Sequence, residues 1–351
     1  FQGLGVKKDY SKAKEYFELS AQKDNHNYDA FNALGILYLY GFGVEKDYTI
    51  AKELFEIGSK KNSNSMNYLG IIYILGLGVN KDYSKALNYF NLSANLENFD
   101  SLCNLGLIYL NGYGVPKDLL RAKYYFEIAS QNKNSEAMIS LGDIYYNEKN
   151  YLKAKDYYEL ATQLSNQFAF LKLGDLYYNG NGVDQDFSKA KRYYELASYL
   201  SNSESLFKLG DIYLNGYGVQ KDLKTAKYYF ELSAKLNFPK ALFYLAYLYS
   251  TDDVFEVDIN KSIEYYQKNI NIQSGIANFE FDKISKFITL YNEYYYHSCN
   301  DLGLIYIVIL NDLNNAEKYI KEAGLNEYPF GQNNFGILNQ FYLNKIDDAK
   351  Y

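Results

Sequence analysis

His26, His297, Cys103 and Cys299 are the side chains with the widest chemical reach in this 351-residue chain, and only His297 and Cys299 stand close in sequence. A zinc site needs three or four such ligands at short spacing, and a serine or cysteine nucleophile needs its base beside it. Neither pattern occurs, so no metal, no cofactor and no catalytic residue is expected. Gly-x-Gly-Val recurs at Gly3, Gly41, Gly76, Gly112, Gly180 and Gly216. It lacks both the third glycine of a dinucleotide fingerprint and the Gly-Lys-Ser/Thr of a phosphate loop, so it reads as a turn.

The remaining candidates are acid–amide pairs four residues apart: Asp143/Asn147, Asp175/Asn179 and Asp211/Asn215. That spacing puts both members on one helix face. Helices packed about 8–10 Å apart keep the three carboxylates from sharing one ion. Two readings stay open. The pairs form a solvated face or bond locally to the glycine loop. Alternatively they form a polar ladder in a groove suited to Lys or Arg side chains, with Leu171, Phe207, Phe243, Tyr146 and Tyr178 adding apolar and stacking surface.

The elements that position these residues repeat about every 36 residues, the signature of a stacked array. One face of a first helix reads Ser101, Leu105, Gly106, Tyr109, and the pattern recurs as Ala137, Leu141, Gly142, Tyr145 and Ala169, Leu173, Gly174, Tyr177. Glycine inside a helix costs about 1 kcal/mol against alanine, so its recurrence implies close packing. The small residues are expected to let two helix backbones approach. An Asp three residues past each loop Val (Asp47, Asp82, Asp118, Asp186, Asp222) stands where a second helix needs its N-cap. That helix carries Ala122, Tyr125, Phe126, Ala129 and their equivalents on its inner face.

This register, Ala-x3-Leu-Gly-x2-Tyr, Gly-x-Gly-Val-x3-Asp, Ala-x2-aromatic-aromatic-x2-Ala, resembles the Sel-1-like repeat, a relative of the tetratricopeptide repeat. The resemblance implies an all-α, right-handed superhelical solenoid of antiparallel helix pairs. Residues 1–270 are expected to hold about seven units, the first partial, with 143–165 a short-loop tetratricopeptide-like unit. Residues 271–297 read as an inserted or extended helical segment. Residues 298–351 hold two further short-loop units, the last truncated; both chain ends cut through repeats, as in a piece of a longer array. In the short-loop units Tyr145–Ala154, Tyr306–Ala316 and Asn339–Ala349 are 9 or 10 residues apart, against 13 elsewhere.

By analogy with tetratricopeptide grooves, the first helices line a concave surface. The resemblance therefore implies a non-enzymatic scaffold or adaptor that holds a peptide or partner helix. The alternatives are a secreted or periplasmic module for cell-wall glycan and, further down, a hydrolase. The secreted, cysteine-rich members linked to such substrates carry stapling cysteine pairs that this chain lacks. Of 351 residues 42 are Tyr, but periodicity turns most of them inward, which weakens a glycan-stacking surface. Net charge of −6 with interspersed signs leaves no footprint for nucleic acid, and no run of about 18 apolar residues supplies a membrane span. Two cysteines favour a reducing, cytoplasmic compartment, with the endoplasmic-reticulum lumen or secretion still open.

Overall fold

The computed structural model describes residues 9–251, 256–276, 287–308, 312–325 and 334. The first glycine loop at Gly3, residues 277–286 and the final unit near Asn339–Ala349 lie outside them. All elements among the described residues are helices, and they fall into two units, 1–166 and 167–351. The first unit holds α1 (Tyr10–Lys23), α2 (Tyr28–Tyr40), α3 (Tyr48–Gly58), α4 (Ser63–Leu75) and α5 (Tyr83–Ala94). It continues with α6 (Phe99–Asn111), α7 (Leu119–Gln131), α8 (Ser135–Asn147) and α9 (Tyr151–Thr162). The second holds α10 (Gln167–Asn179), α11 (Phe187–Tyr199), α12 (Ser203–Asn215) and α13 (Leu223–Lys235). After these come α14 (Pro239–Ser250), α15 (Ile259–Ile276), α16 (Phe287–Val308) and α17 (Leu313–Leu325). Each even-numbered helix (A) pairs with the odd-numbered helix that follows it (B).

Local chemistry sets every joint. In the glycine-loop units the A helix stops where glycine turns left-handed, as at Gly112 with φ 76°. The Asp118 amide then closes the loop on the Tyr109 carbonyl at 2.9 Å. Asp118 caps α7, its Oδ1 accepting from the Arg121 amide at 2.9 Å. The second loop glycine meets two demands. Gly114 has φ 70°, and a Cβ there would collide with the Cβ of Tyr83, the first residue of the preceding B helix. Tyr83 also stacks on the loop residue Tyr113, with ring centroids 5.7 Å apart. The short-loop pair α8/α9 needs only residues 148–150, closed by the Asn150 amide on the Tyr145 carbonyl.

The A helices α4, α6 and α8 are capped by asparagine, for a reason that aspartate would not serve. The Oδ1 atoms of Asn62, Asn98 and Asn134 accept from the amides of Ser65, Ser101 and Ala137. Their Nδ2 groups meanwhile donate to the preceding A helix: to Asp29 at 2.6 Å, Asn64 at 2.8 Å and Asp100 at 2.7 Å. One side chain thus ends a helix and ties two repeats together.

The core is one ring per repeat. Phe55, Phe90, Phe126, Tyr158, Tyr194 and Phe230 are fully buried over Gly35, Gly70, Gly106, Gly142, Gly174 and Gly210. A Cβ on Gly106 would stand 2.5 Å from Phe126 Cε1. The helical glycine therefore makes room for a partner ring, where the sequence pattern led us to expect backbone against backbone. Outside this layer the A-helix tyrosine stacks on a B-helix tyrosine, as in Tyr109–Tyr125 at 5.7 Å and Tyr213–Tyr229 at 5.7 Å. Lysines bridge repeats over these rings; Lys123 Nζ lies 4.6 Å from the Tyr145 centroid and 2.8 Å from Glu148. The segment 271–297 is divided between the end of α15 and the first half of α16, on either side of residues 277–286.

Candidate partner-binding face

Helical periodicity assigns three positions per A helix to one stripe: the residue before the Leu, the residue after the Gly, and the residue four further on. In the first unit the stripe reads Ala33/Ile36/Tyr40, Tyr68/Ile71/Leu75, Asn104/Leu107/Asn111 and Ser140/Asp143/Asn147. In the second it reads Lys172/Asp175/Asn179, Lys208/Asp211/Asn215 and Tyr244/Tyr247/Thr251. Every one of these residues is half-buried or exposed, whereas the Leu and Gly between them are buried.

The aspartates are tied down by tyrosines of the same chain. Tyr158 donates to Asp143 Oδ1 at 2.7 Å within the first unit. In the second, Tyr194 donates to Asp175 Oδ1 at 2.9 Å and Tyr178 to Asp211 Oδ2 at 2.8 Å. Three of the four repeats with buried Phe55, Phe90, Phe126 or Phe230 carry Ile36, Ile71 or Leu107 after the glycine. The fourth, Phe230, faces Gly210, whose neighbour Asp211 takes its hydroxyl from the preceding repeat instead. A buried phenol needs an acceptor, and the aspartate supplies it. Burial pushes the Tyr194 hydroxyl well above the ordinary tyrosine range, with the Asp175 charge adding to it. Tyr178 is raised in the same way, by burial and by its bond to Asp211. Asn179 and Asn215 turn back onto the carbonyls of Asp175 and Asp211 at 2.9 and 3.0 Å, and Asn215 also reaches Asp211 Oδ1 at 2.8 Å.

The remaining residues nominated from sequence divide. Tyr146 and Tyr178 are half-buried, their rings edge-on to Tyr151 and Phe187. Leu171 and Phe207 are corrected: at 3% and 6% exposure they are core, and Phe207 packs on Phe230, Phe238 and Tyr244. Phe243 is half-buried with its ring edge-on to Tyr266 and His297. All three stand two residues before the Leu, about 100° around the helix from the position that faces outward. Sequence reading missed their outward neighbours Lys172, Lys208 and Tyr244, although the column before the Leu displays them.

His26 and His297 stand in different units, as do Cys103 and Cys299, which are both buried. Burial raises the Cys103 thiol far above its ordinary value, which keeps it protonated and inert. Among the described residues no cluster of His, Cys, Asp and Glu has the arrangement of a metal site, and no helix is long and apolar enough to cross a membrane. A shallow hollow of about 610 Å³ borders Glu127, Lys133, Tyr157 and Leu160 and contains none of the stripe residues.

The Sel1 repeat model matches residues 1–25, 30–63, 63–98, 99–134, 171–202, 203–238 and 239–268, and the tetratricopeptide repeat model matches 135–168. No curated protein matches the sequence. Among solved structures the chain is similar to a protective antigen of uropathogenic Escherichia coli with an SLR fold. That match has 22% identity over 97% of this chain and 85% of that one, with a TM-score of 0.53. A Sel1 repeat protein from Oxalobacter formigenes is 24% identical over 74% of this chain and 90% of that one, with a TM-score of 0.47. Yeast Tom70 is 16% identical over 97% and 59%, with a TM-score of 0.48. The first of these likenesses is one of fold, an all-α repeat solenoid. With the Sel1 model covering well over half of its residues, the chain belongs to the Sel1 repeat family.

Proposed function

We propose that this chain is a non-enzymatic interaction scaffold whose A-helix stripe receives a partner polypeptide, as an extended segment or an amphipathic helix. Sel1 and tetratricopeptide repeats are typically protein-interaction scaffolds, and the repeat family suggests protein partners. The observation that carries the finer reading is the row Ile36, Ile71 and Leu107 in the first unit. Each is half-buried, each occupies the same register position, and each recurs once per repeat.

Helices packed about 8–10 Å apart present such a row at a spacing a polypeptide can match. Every third residue of a polyproline-II segment advances about 9 Å, and every seventh residue of a helix about 10.5 Å. A regular apolar row on a preformed array binds with little ordering cost on the scaffold side.

The test is a displayed peptide library selected against the full chain, followed by charge substitutions on each face. Ile71→Asp and Leu107→Asp change half-buried A-face positions, and circular dichroism melts establish that each variant is folded. These variants are expected to lose the selected ligands while Leu120→Asp and Tyr124→Asp, on exposed B-helix positions, retain them. Ligands lost only with the B-helix variants would refute the A-face reading.

A further inference from the structure

The second unit carries its own template for a cation seat. Lys208 of α12 reaches back to the preceding A helix, placing Nζ 3.6 Å from Asp175 Oδ1 and 5.6 Å from the centre of the Tyr178 ring. Both side chains of that pair are about three-quarters buried, at 26% exposure each. An ammonium group is thereby held between a carboxylate and an aromatic face.

One repeat later the carboxylate is Asp211, and the position of Lys208 is taken by Tyr244. Asp211 accepts from the Tyr178 hydroxyl on Oδ2 and from Asn215 Nδ2 on Oδ1, at 2.8 Å each. No cation of the described residues forms an ion pair with it. A carboxylate has about four acceptor positions, so both oxygens keep capacity beside these two neutral donors. Tyr244 is half-buried, packed on Phe207 at 5.6 Å and Phe230 at 5.2 Å. Its hydroxyl is raised chiefly by burial, with the Asp211 charge adding to it. Tyr247, one position along the same stripe, is 44% exposed.

We propose that Asp211, walled by Tyr178 and Tyr244, seats an arginine or lysine side chain of the polypeptide on the A face, the partner supplying the cation that Lys208 supplies at Asp175. The proposal rests on the A-face reading above and narrows it. The bound segment carries a basic residue at the point where it crosses α12. The charge fixes the register of that segment on the second unit.

The test uses the full chain and a minimal probe, N-acetyl-arginine methylamide, with its neutral citrulline counterpart as control, read by NMR of the tyrosine rings. The arginine probe is expected to shift Tyr178 and Tyr244, and the citrulline probe to leave them in place. Asp211→Asn removes the charge and keeps one acceptor oxygen for Asn215, while its new amide can donate to the Tyr178 hydroxyl; it is expected to weaken the shift titration roughly tenfold, the worth of one charge-assisted contact. Tyr244→Lys copies the Lys208 arrangement and is expected to abolish it. Lys208→Met is expected to open a second seat at Asp175. Circular dichroism melts establish that each variant is folded.

A wild-type chain blind to the arginine probe, or shifts that survive both Asp211→Asn and Tyr244→Lys, would overturn the seat. A library screen that returns no A-face ligand while the probe still distinguishes wild type from Asp211→Asn overturns the polypeptide reading and leaves the seat standing.

Discussion

Exchanging the Tyr194–Asp175 pair for Phe and Ile isolates the rule that couples the core ring to the outward stripe. Tyr194 is fully buried and its hydroxyl donates to Asp175 at 2.9 Å. Tyr194→Phe removes a charge-assisted hydrogen bond, for which about 1.5–3 kcal/mol is typical. Asp175 keeps Lys208 and water, so about 1–2 kcal/mol is expected here. Asp175→Ile alone strands a buried hydroxyl, which costs about 1–3 kcal/mol. The double variant recreates the Ile36/Phe55 and Ile71/Phe90 pairing already built into the first unit, and should lie within about 0.5 kcal/mol of wild type. The predicted coupling is therefore about 3 kcal/mol, a factor of roughly 150 in an opening constant. Repeat arrays open unit by unit, so the assay is native-state hydrogen exchange of the α10 and α11 amides. Additive single effects, with coupling below about 0.5 kcal/mol, would refute the rule.

Other perturbations probe the joints. Asn134→Asp keeps the helix cap but sets a carboxylate against Asp100; it should cost about 1 kcal/mol or more, partly restored by salt, while Asn134→Ser loses only the inter-repeat bond. Gly114→Ala adds a Cβ at φ 70° against Tyr83 and should lower the melting temperature more than Gly112→Asn, since asparagine tolerates the left-handed region. Hydrogen bonds from helix-start amides and neighbouring side chains hold Asp186, Asp222 and Asp258 below the ordinary carboxylate value. Their contribution is fully present above about pH 4 and is lost as pH falls through the lowered values, which acid titration of the ellipticity should show. Tyr194 and Tyr266 are shifted the other way, chiefly by burial. Their contribution is complete below about pH 10 and lost above it, so tyrosinate absorbance and unfolding should rise together in alkali.

Much of the fold was legible because its determinants are local and repeated. Asp47, Asp82 and Asp118 cap helices where the spacing puts them, and the loop glycines adopt the left-handed backbone their type permits. The face of each A helix was harder to place. Leu171 and Phe207 were assigned outward although they stand one residue from the outward column, and on a helix that slip turns a side chain by about 100°. The role of Asp143 and Asp175 as acceptors for buried phenols depends on residues 15 and 19 positions away. Its visible trace is that Tyr158 and Tyr194 interrupt a column of phenylalanines. Asn62, Asn98 and Asn134 likewise form a column, but their second bond joins neighbouring repeats and no pattern within one repeat displays it.

Radical footprinting of side chains on the full chain, with and without a library-selected peptide, tests the central claim most directly. Protection of Ile71 and Leu107 in the first unit, or of Tyr244 and Tyr247 in the second, with Leu120, Tyr124 and Tyr199 labelled as before, is the result expected of an A-face scaffold. Protection of Leu120, Tyr124 and Tyr199 with the A-face residues unchanged would contradict it.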